Sequence, residues 1–126
     1  MPAEPVTVLI ADDNGLFVQA LEALLDSEDL VRVVGRAEDG DKATRLAKKL
    51  EPDVVLMDLS MPRVDGFEAA RQIRDAVPST RIVVLTGSAN PDDVARAREV
   101  GAVGYVTKDK ILAELVRAIR AAAGRG

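Results

Sequence analysis

Asp12, Asp13, Asp58, Thr86 and Lys108 carry side chains suited to one chemistry, and each stands at the end of an apolar run. Asp12 and Asp13 follow Val6 to Ala11, and Asp58 follows Val54-Val55-Leu56-Met57. Thr86 follows Ile82-Val83-Val84-Leu85, and Lys108 follows Val103-Gly104-Tyr105-Val106-Thr107. Neighbouring parallel strands would bring these ends to the sheet edge where open α/β folds bind ligands. Carboxylates gathered there repel: at ~4 Å and an effective dielectric of ~20, a pair costs roughly 4 kcal/mol. The cluster therefore asks for a cation, and carboxylate oxygens suit Mg²⁺. Acids, hydroxyl and ammonium together make a phosphoryl-transfer set. A carboxylate can attack phosphorus and form an acyl phosphate. Mg²⁺ can screen the charge of nucleophile and phosphoryl group together. The hydroxyl can hydrogen-bond one phosphoryl oxygen, and the lysine supplies a compact positive charge for another. Such a reaction needs little beyond positioning and electrostatics.

The elements that must position these groups alternate along the chain. Val6 to Ile10 reads as a buried strand, and Asn14 can cap a helix from Gly15 towards Asp26. That helix has an apolar stripe of Leu16, Phe17, Ala20, Leu21, Leu24 and Leu25. Ser27-Glu28-Asp29 reads as a loop, and Val31 to Val34 as a short strand near an edge. A helix over Asp39 to Lys49, with Ala43, Leu46, Ala47 and Leu50 on one side, ends at Glu51-Pro52. Val54 to Met57 is a fully apolar strand; Ser60 to Gly66 is a loop; Phe67, Ala70 and Ile73 mark a third helix. Ile82 to Leu85 is the fourth strand. Asn90-Pro91-Asp92-Asp93 starts a helix with a cap, a first-turn proline and acids at the positive dipole end. Gly101 closes it, and Val103 to Val106 is the fifth strand. Ile111, Leu112, Leu115, Val116 and Ile119 stripe the last helix. Strict alternation of five strands and five helices implies an α/β fold. The expected form is a doubly wound parallel sheet, flavodoxin-like, with strand order 2-1-3-4-5.

Composition removes other classes. A chain of 126 residues suits one domain with a real core, and 48% hydrophobic residues exclude a disordered chain. A net charge of -4 argues against a basic nucleic-acid face on this chain. The sequence has neither cysteine nor histidine. Disulfides, thiolate metal sites, histidine-dependent triads, zinc–histidine sites and phosphohistidine on this chain are thereby excluded. No apolar stretch approaches the ~20 residues of a membrane helix, and Met1-Pro2-Ala3-Glu4-Pro5 does not begin a signal peptide. A cytoplasmic location is expected.

Four stretches resemble the receiver domain of bacterial two-component response regulators: Ile10 to Asn14, Leu56 to Gly66, Val84 to Gly87 and Gly101 to Asp109. The resemblance covers essentially the whole chain. It implies that Asp58 is the phosphoacceptor, charged from a phosphohistidine on a sensor histidine kinase. It implies direct Mg²⁺ ligation by Asp13, Asp58 and the backbone carbonyl of Ser60, with Asp12 acting mainly through a bound water. Lys108 would pair with Asp58 at rest and with the phosphoryl group afterwards. Thr86 and Tyr105 would be the switch pair that reshapes the face made by helix four, strand five and helix five. That face, or another receiver face, is the expected surface for a homodimer. The same resemblance implies that Ser60 and Ser88 lie where side chains tune hydrolysis of the acyl phosphate. The chain is expected to be a phosphoacceptor that catalyses its own phosphorylation and dephosphorylation, not an enzyme acting on other substrates.

Gly104-Tyr105-Val106-Thr107-Lys108-Asp109 resembles the NarL/LuxR class, whose output is a helix-turn-helix DNA-binding domain. Residues 1–126 are read as one receiver domain, with 121–126 a frayed helix end or linker stub and no output domain in the chain. DNA would then be reached only through such a domain; a stand-alone regulator or phosphate relay is the alternative. No membrane partner is expected. Many receivers carry proline after the active-site lysine, with a cis bond before it; Asp109 stands there instead. A cis non-proline bond costs roughly 3 kcal/mol, so the sequence leaves that geometry open.

Each residue also has a plainer role on its own. Asp12 and Asp13 could be a polar turn before a helix, and Asp58 a turn residue. Thr86 could be a structural strand residue, Lys108 a solvated lysine, and Tyr105 a half-buried aromatic. Glu22, Asp26, Glu28 and Asp29 read as solvated, Asp65 as a helix cap, and Met61-Pro62 as loop-shaping. Convergence at strand ends favours the functional role. A haloacid-dehalogenase-type phosphatase would need Asp-x-Asp after its first strand, where Asp12-Asp13-Asn14 stands. FMN binding would need a Ser/Thr-rich loop there.

Overall fold

A computed structural model of the chain describes residues 4–59, 66–87 and 90–124. The loop serine Ser60, the Met61-Pro62 pair, Asp65 and Ser88 lie outside the described residues. Strands β1 (Val6–Ala11), β2 (Val31–Ala37), β3 (Val54–Asp58), β4 (Arg81–Thr86) and β5 (Ala102–Thr107) alternate with helices α1 (Gly15–Asp26), α2 (Gly40–Leu50), α3 (Gly66–Ala76), α4 (Pro91–Glu99) and α5 (Ile111–Ala122). The strands form one parallel sheet in the order β2-β1-β3-β4-β5. This is the doubly wound fold that the alternation predicts.

The sheet separates two cores. Val6, Val8 and Ile10 of β1 and Val54 and Leu56 of β3 pack with Val18, Leu21 and Leu25 of α1 and Leu115 and Ile119 of α5. Leu9, Val55 and Met57 point the other way, towards α2, α3 and Ala97 of α4. Alternate side chains of a strand face opposite sides. A strand covered on both faces is therefore apolar along its middle, and all of β3 is buried, its terminal Asp58 included.

Local signals set the helix ends. The Asn14 side chain accepts from Phe17 N at 3.1 Å and starts α1. Asp39 accepts from Lys42 N at 2.8 Å and starts α2, and Glu51, at φ 45°, ends it. Asn90 accepts from Asp92 N at 2.9 Å, with Pro91 in the first turn of α4. Gly101, at φ +99°, turns the chain out of α4, and a Cβ there would overlap the Arg74 side chain.

Three expectations need correction. The second strand runs to Ala37, not Val34, because a register shift opposite Val8 and Leu9 absorbs Val34 and lets pairing resume at Gly35. Leu16 and Leu112 are 80% and 88% exposed, and Ala20 is exposed too, so none belongs to a buried stripe. Val18, absent from the expected stripe, is buried in its place. Glu22 is also more than a solvated acid, since it pairs with Arg36 at 3.3 Å.

The candidate phosphoryl-transfer site at the C-terminal sheet edge

Strand register places the functional residues. Ala11 pairs with Met57, so Asp12 and Asp58 emerge side by side. Asp58 pairs with Leu85, which sets Thr86 one step further along. Thr86 in turn pairs with Thr107, so Lys108 follows immediately beyond it. By alternation Asp12 and Asp58 lean to the side of α1 and α5, whereas Thr86 and Tyr105 share the side of α4. Gly66 starts α3 against this same edge. A Cβ there would lie 2.5 Å from the carbonyl oxygen of Asp58 and 2.8 Å from Cα of Leu59.

Asp12, Asp13 and Asp58 each present a carboxylate oxygen, and these atoms lie within 4.8 Å of one another. Asp12 and Asp58 are buried, and Asp13 is exposed. The ammonium of Lys108 stands 3.5 Å from Asp12 Oδ2 and 3.7 Å from Asp58 Oδ1. It bridges the two buried acids, where the sequence pointed to Asp58 alone. Asp12 Oδ1 accepts from Asn14 N at 2.9 Å, while Asp12 Oδ2 is buried with no hydrogen bond among the described residues. The Lys108 ammonium meets that oxygen as an ion pair without a hydrogen bond, and a buried acceptor left without a hydrogen bond is costly. Among the described residues, the Lys108 ammonium pairs with two of the three carboxylates in the cluster, so negative charge is in excess there. Oxygen donors at this spacing, one of them a buried oxygen with an ion pair but no hydrogen bond among the described residues, fit a hard divalent cation.

Thr86 is buried at the end of β4. Tyr105 is half-buried and packs against the core that includes Ala97 of α4. It borders a cavity of about 260 Å³ with Val94, Ala97 and Arg98. No cis peptide bond occurs among the described residues, so Lys108–Asp109 is trans. Lys108 to Lys110 form a 3₁₀ turn that leads into α5. Sequence reasoning missed the Phe17 ring, whose centroid lies 4.4 Å from Lys108 Nζ. Its place three residues after the Asn14 cap was the available signal.

Comparison with known proteins identifies the fold and the family. The family model described as response regulator receiver domain matches residues 8–120. The transcriptional regulatory protein YxjL of Bacillus subtilis is 42% identical over 123 residues, covering 98% of this chain and 56% of that protein. The nitrate/nitrite response regulator protein NarL of Escherichia coli is 37% identical over 120 residues, covering 95% of this chain and 56% of that protein. The chain thus spans about half the length of the curated relatives it matches. Among solved structures, the signal receiver domain of a response regulator named NarL from Mycobacterium tuberculosis superposes with a TM-score of 0.91. It is 35% identical, and the match covers 97% of this chain and 98% of that one. Among the described residues, no helix is long and apolar enough to cross a membrane.

Proposed function

This chain belongs to the response regulator receiver domain family of two-component systems, and on that premise we propose that it is a phosphorylation-operated switch with Asp58 as phosphoacceptor. The observation that carries this is the bridge made by Lys108 between the buried acids Asp12 and Asp58, with Asp13 beside them. An Asp58 carboxylate oxygen attacks the phosphorus of a phosphohistidine on a sensor kinase. The new bond is O–P, the P–N bond breaks, and the imidazole nitrogen leaves. Asp58 then carries an acyl phosphate.

Asp13, Asp58 and the Ser60 carbonyl would hold Mg²⁺ directly, and Asp12 would act mainly through water. Bound there, Mg²⁺ screens the charge shared by carboxylate and phosphoryl oxygens. Lys108 moves its contact from the Asp58 carboxylate to a phosphoryl oxygen. The Thr86 hydroxyl donates to another. Thr86 and Tyr105 share one side of the sheet, so a shift of Thr86 towards the site frees space for the Tyr105 ring. The α4–β5–α5 face would change shape and with it the affinity for a partner, including a second copy of the chain.

Residues 1–126 act as a single receiver unit. The two curated relatives compared above are named as regulators and are longer, the match covering 56% of each. We extend the proposal to control of a helix-turn-helix transcription output.

The test is incubation with Mg²⁺ and a small acyl-phosphate donor, followed by intact mass. One phosphoryl group on the native chain and none on Asp58→Asn is expected. An equal adduct on both would refute the assignment. Beryllofluoride binding is a second probe for a chain that accepts only from its kinase.

A further inference from the structure

Among the described residues, Lys108 Nζ meets three groups: Asp12 at 3.5 Å, Asp58 at 3.7 Å and the Phe17 ring centroid at 4.4 Å. The Phe17 contact closes a circuit through the first turn of α1. Asn14 N donates to Asp12 Oδ1, and Phe17 N donates to Asn14 Oδ1. The Phe17 ring then faces Lys108, which returns to Asp12 Oδ2. One short segment therefore fixes both an acid of the cluster and the ammonium that serves it.

We propose that Phe17 is a positioning residue for Lys108, its ring face holding the ammonium at the acid cluster before and after phosphoryl transfer. This rests on Asp58 being the phosphoacceptor. The lysine stem is flexible and pays rotamer entropy whenever it is fixed. Its side chain is 30% exposed, so water competes for the ammonium. A ring face attracts a cation through its quadrupole. That attraction does not use up one of the three ammonium donors. Lys108 can therefore turn from a carboxylate oxygen to a phosphoryl oxygen without leaving the ring. Phe17 itself is anchored, because it packs partly buried against the core between the sheet, α1 and α5. An acid at this position would instead add charge to a cluster already rich in it.

Two measurements test the proposal. In the unphosphorylated chain, NMR of the Lys108 ε-methylene protons should show an upfield ring-current shift that disappears in Phe17→Leu. A native chain without that shift overturns the proposal. Next, Phe17 is replaced site-specifically by phenylalanines of rising fluorination, which weaken the ring face at nearly constant size. The initial rate of phosphorylation by acetyl phosphate and the affinity for beryllofluoride should fall in step with fluorination, by about fivefold across the series. Phe17→Tyr should restore both. Melting temperatures across the series check that folding is equal. A flat series at equal folding overturns the proposal, since a merely structural ring would behave that way. A native chain that takes neither phosphoryl group nor beryllofluoride refutes the acceptor assignment instead, and the ring-current result separates that failure from loss of the Phe17 contact.

Discussion

Replacing Asp13 by Asn should make the metal-free protein more stable, and should remove most of its stabilisation by Mg²⁺. Asp13 shares the cluster with Asp12 and Asp58, all within 4.8 Å. At that distance a like-charge pair repels by about 3.5 kcal/mol at an effective dielectric of ~20, and by about 0.9 kcal/mol in water. Asp13 is exposed, so its repulsions lie nearer the lower figure. Removing both gives a gain of about 2 kcal/mol without cation. Asp12 and Asp58 each lose an attraction when neutralised, because Lys108 stands 3.5 and 3.7 Å from them. Asp13→Asn leaves both contacts in place, so it should stabilise more than Asp12→Asn does. Urea unfolding in EDTA measures this directly. Adding Mg²⁺ to about a hundred times its dissociation constant should then raise the native chain by about 2.7 kcal/mol, with a much smaller rise for Asp13→Asn. The cation-site argument fails if Asp13→Asn in EDTA is no more stable than the native chain. It fails equally if the variant keeps the native response to Mg²⁺.

The remaining predictions concern the frame that holds the site. Gly66→Ala should destabilise by about 1–3 kcal/mol, because the added Cβ meets the backbone of Asp58 and Leu59, not a side chain that can move aside. An unchanged urea midpoint would show that α3 does not approach β3 so closely. At the opposite sheet edge, Thr7 N donates to Asp53 Oδ2 at 2.9 Å, and Asp53 N donates to Thr7 Oγ1 at 2.8 Å. Asp53→Ala should cost about 2 kcal/mol while leaving beryllofluoride affinity at the native value; denaturation and a binding titration check the pair.

Much of the fold was legible because the sheet is covered on both sides. The middles of β3 and β4 and most of β1 had to be apolar, and the caps read at Asn14 and Asn90 are both used, whereas Asp39, read as the first residue of its helix, is instead the cap of α2. The failures lie where that logic stops. β2 is an edge strand, and Gly35 and Arg36 interrupt its apolar signal before the buried Ala37, so its length is set by pairing with β1 beyond the register shift. Leu16 and Leu112 stand in the first turns of α1 and α5, at the rim where the sheet ends. A helix is buried only along the stripe that meets the sheet, so periodicity alone does not say whether an apolar residue in an end turn finds a partner. The reciprocal Thr7–Asp53 clamp was invisible for a related reason: nothing local links residues 46 apart in sequence.

The site divides along the same line. Residue types at strand ends pointed to Asp12, Asp13, Asp58, Thr86 and Lys108, because parallel pairing must carry every C-terminal end to one edge. Which acid each group touches depends on register and on where the helices start, and neither has a one-residue signature. The lysine sits nearer Asp12 than Asp58, and it rests on a phenylalanine supplied by α1. Asn14 explains both. As the cap it fixes Phe17 N, and through its own N–H it holds Asp12 Oδ1, turning the unsatisfied Oδ2 towards the ammonium. A residue that reads as a simple helix start therefore orients an acid and a cation of the site together. Geometry at such a site follows from the cap that begins the helix as much as from the charged residues themselves.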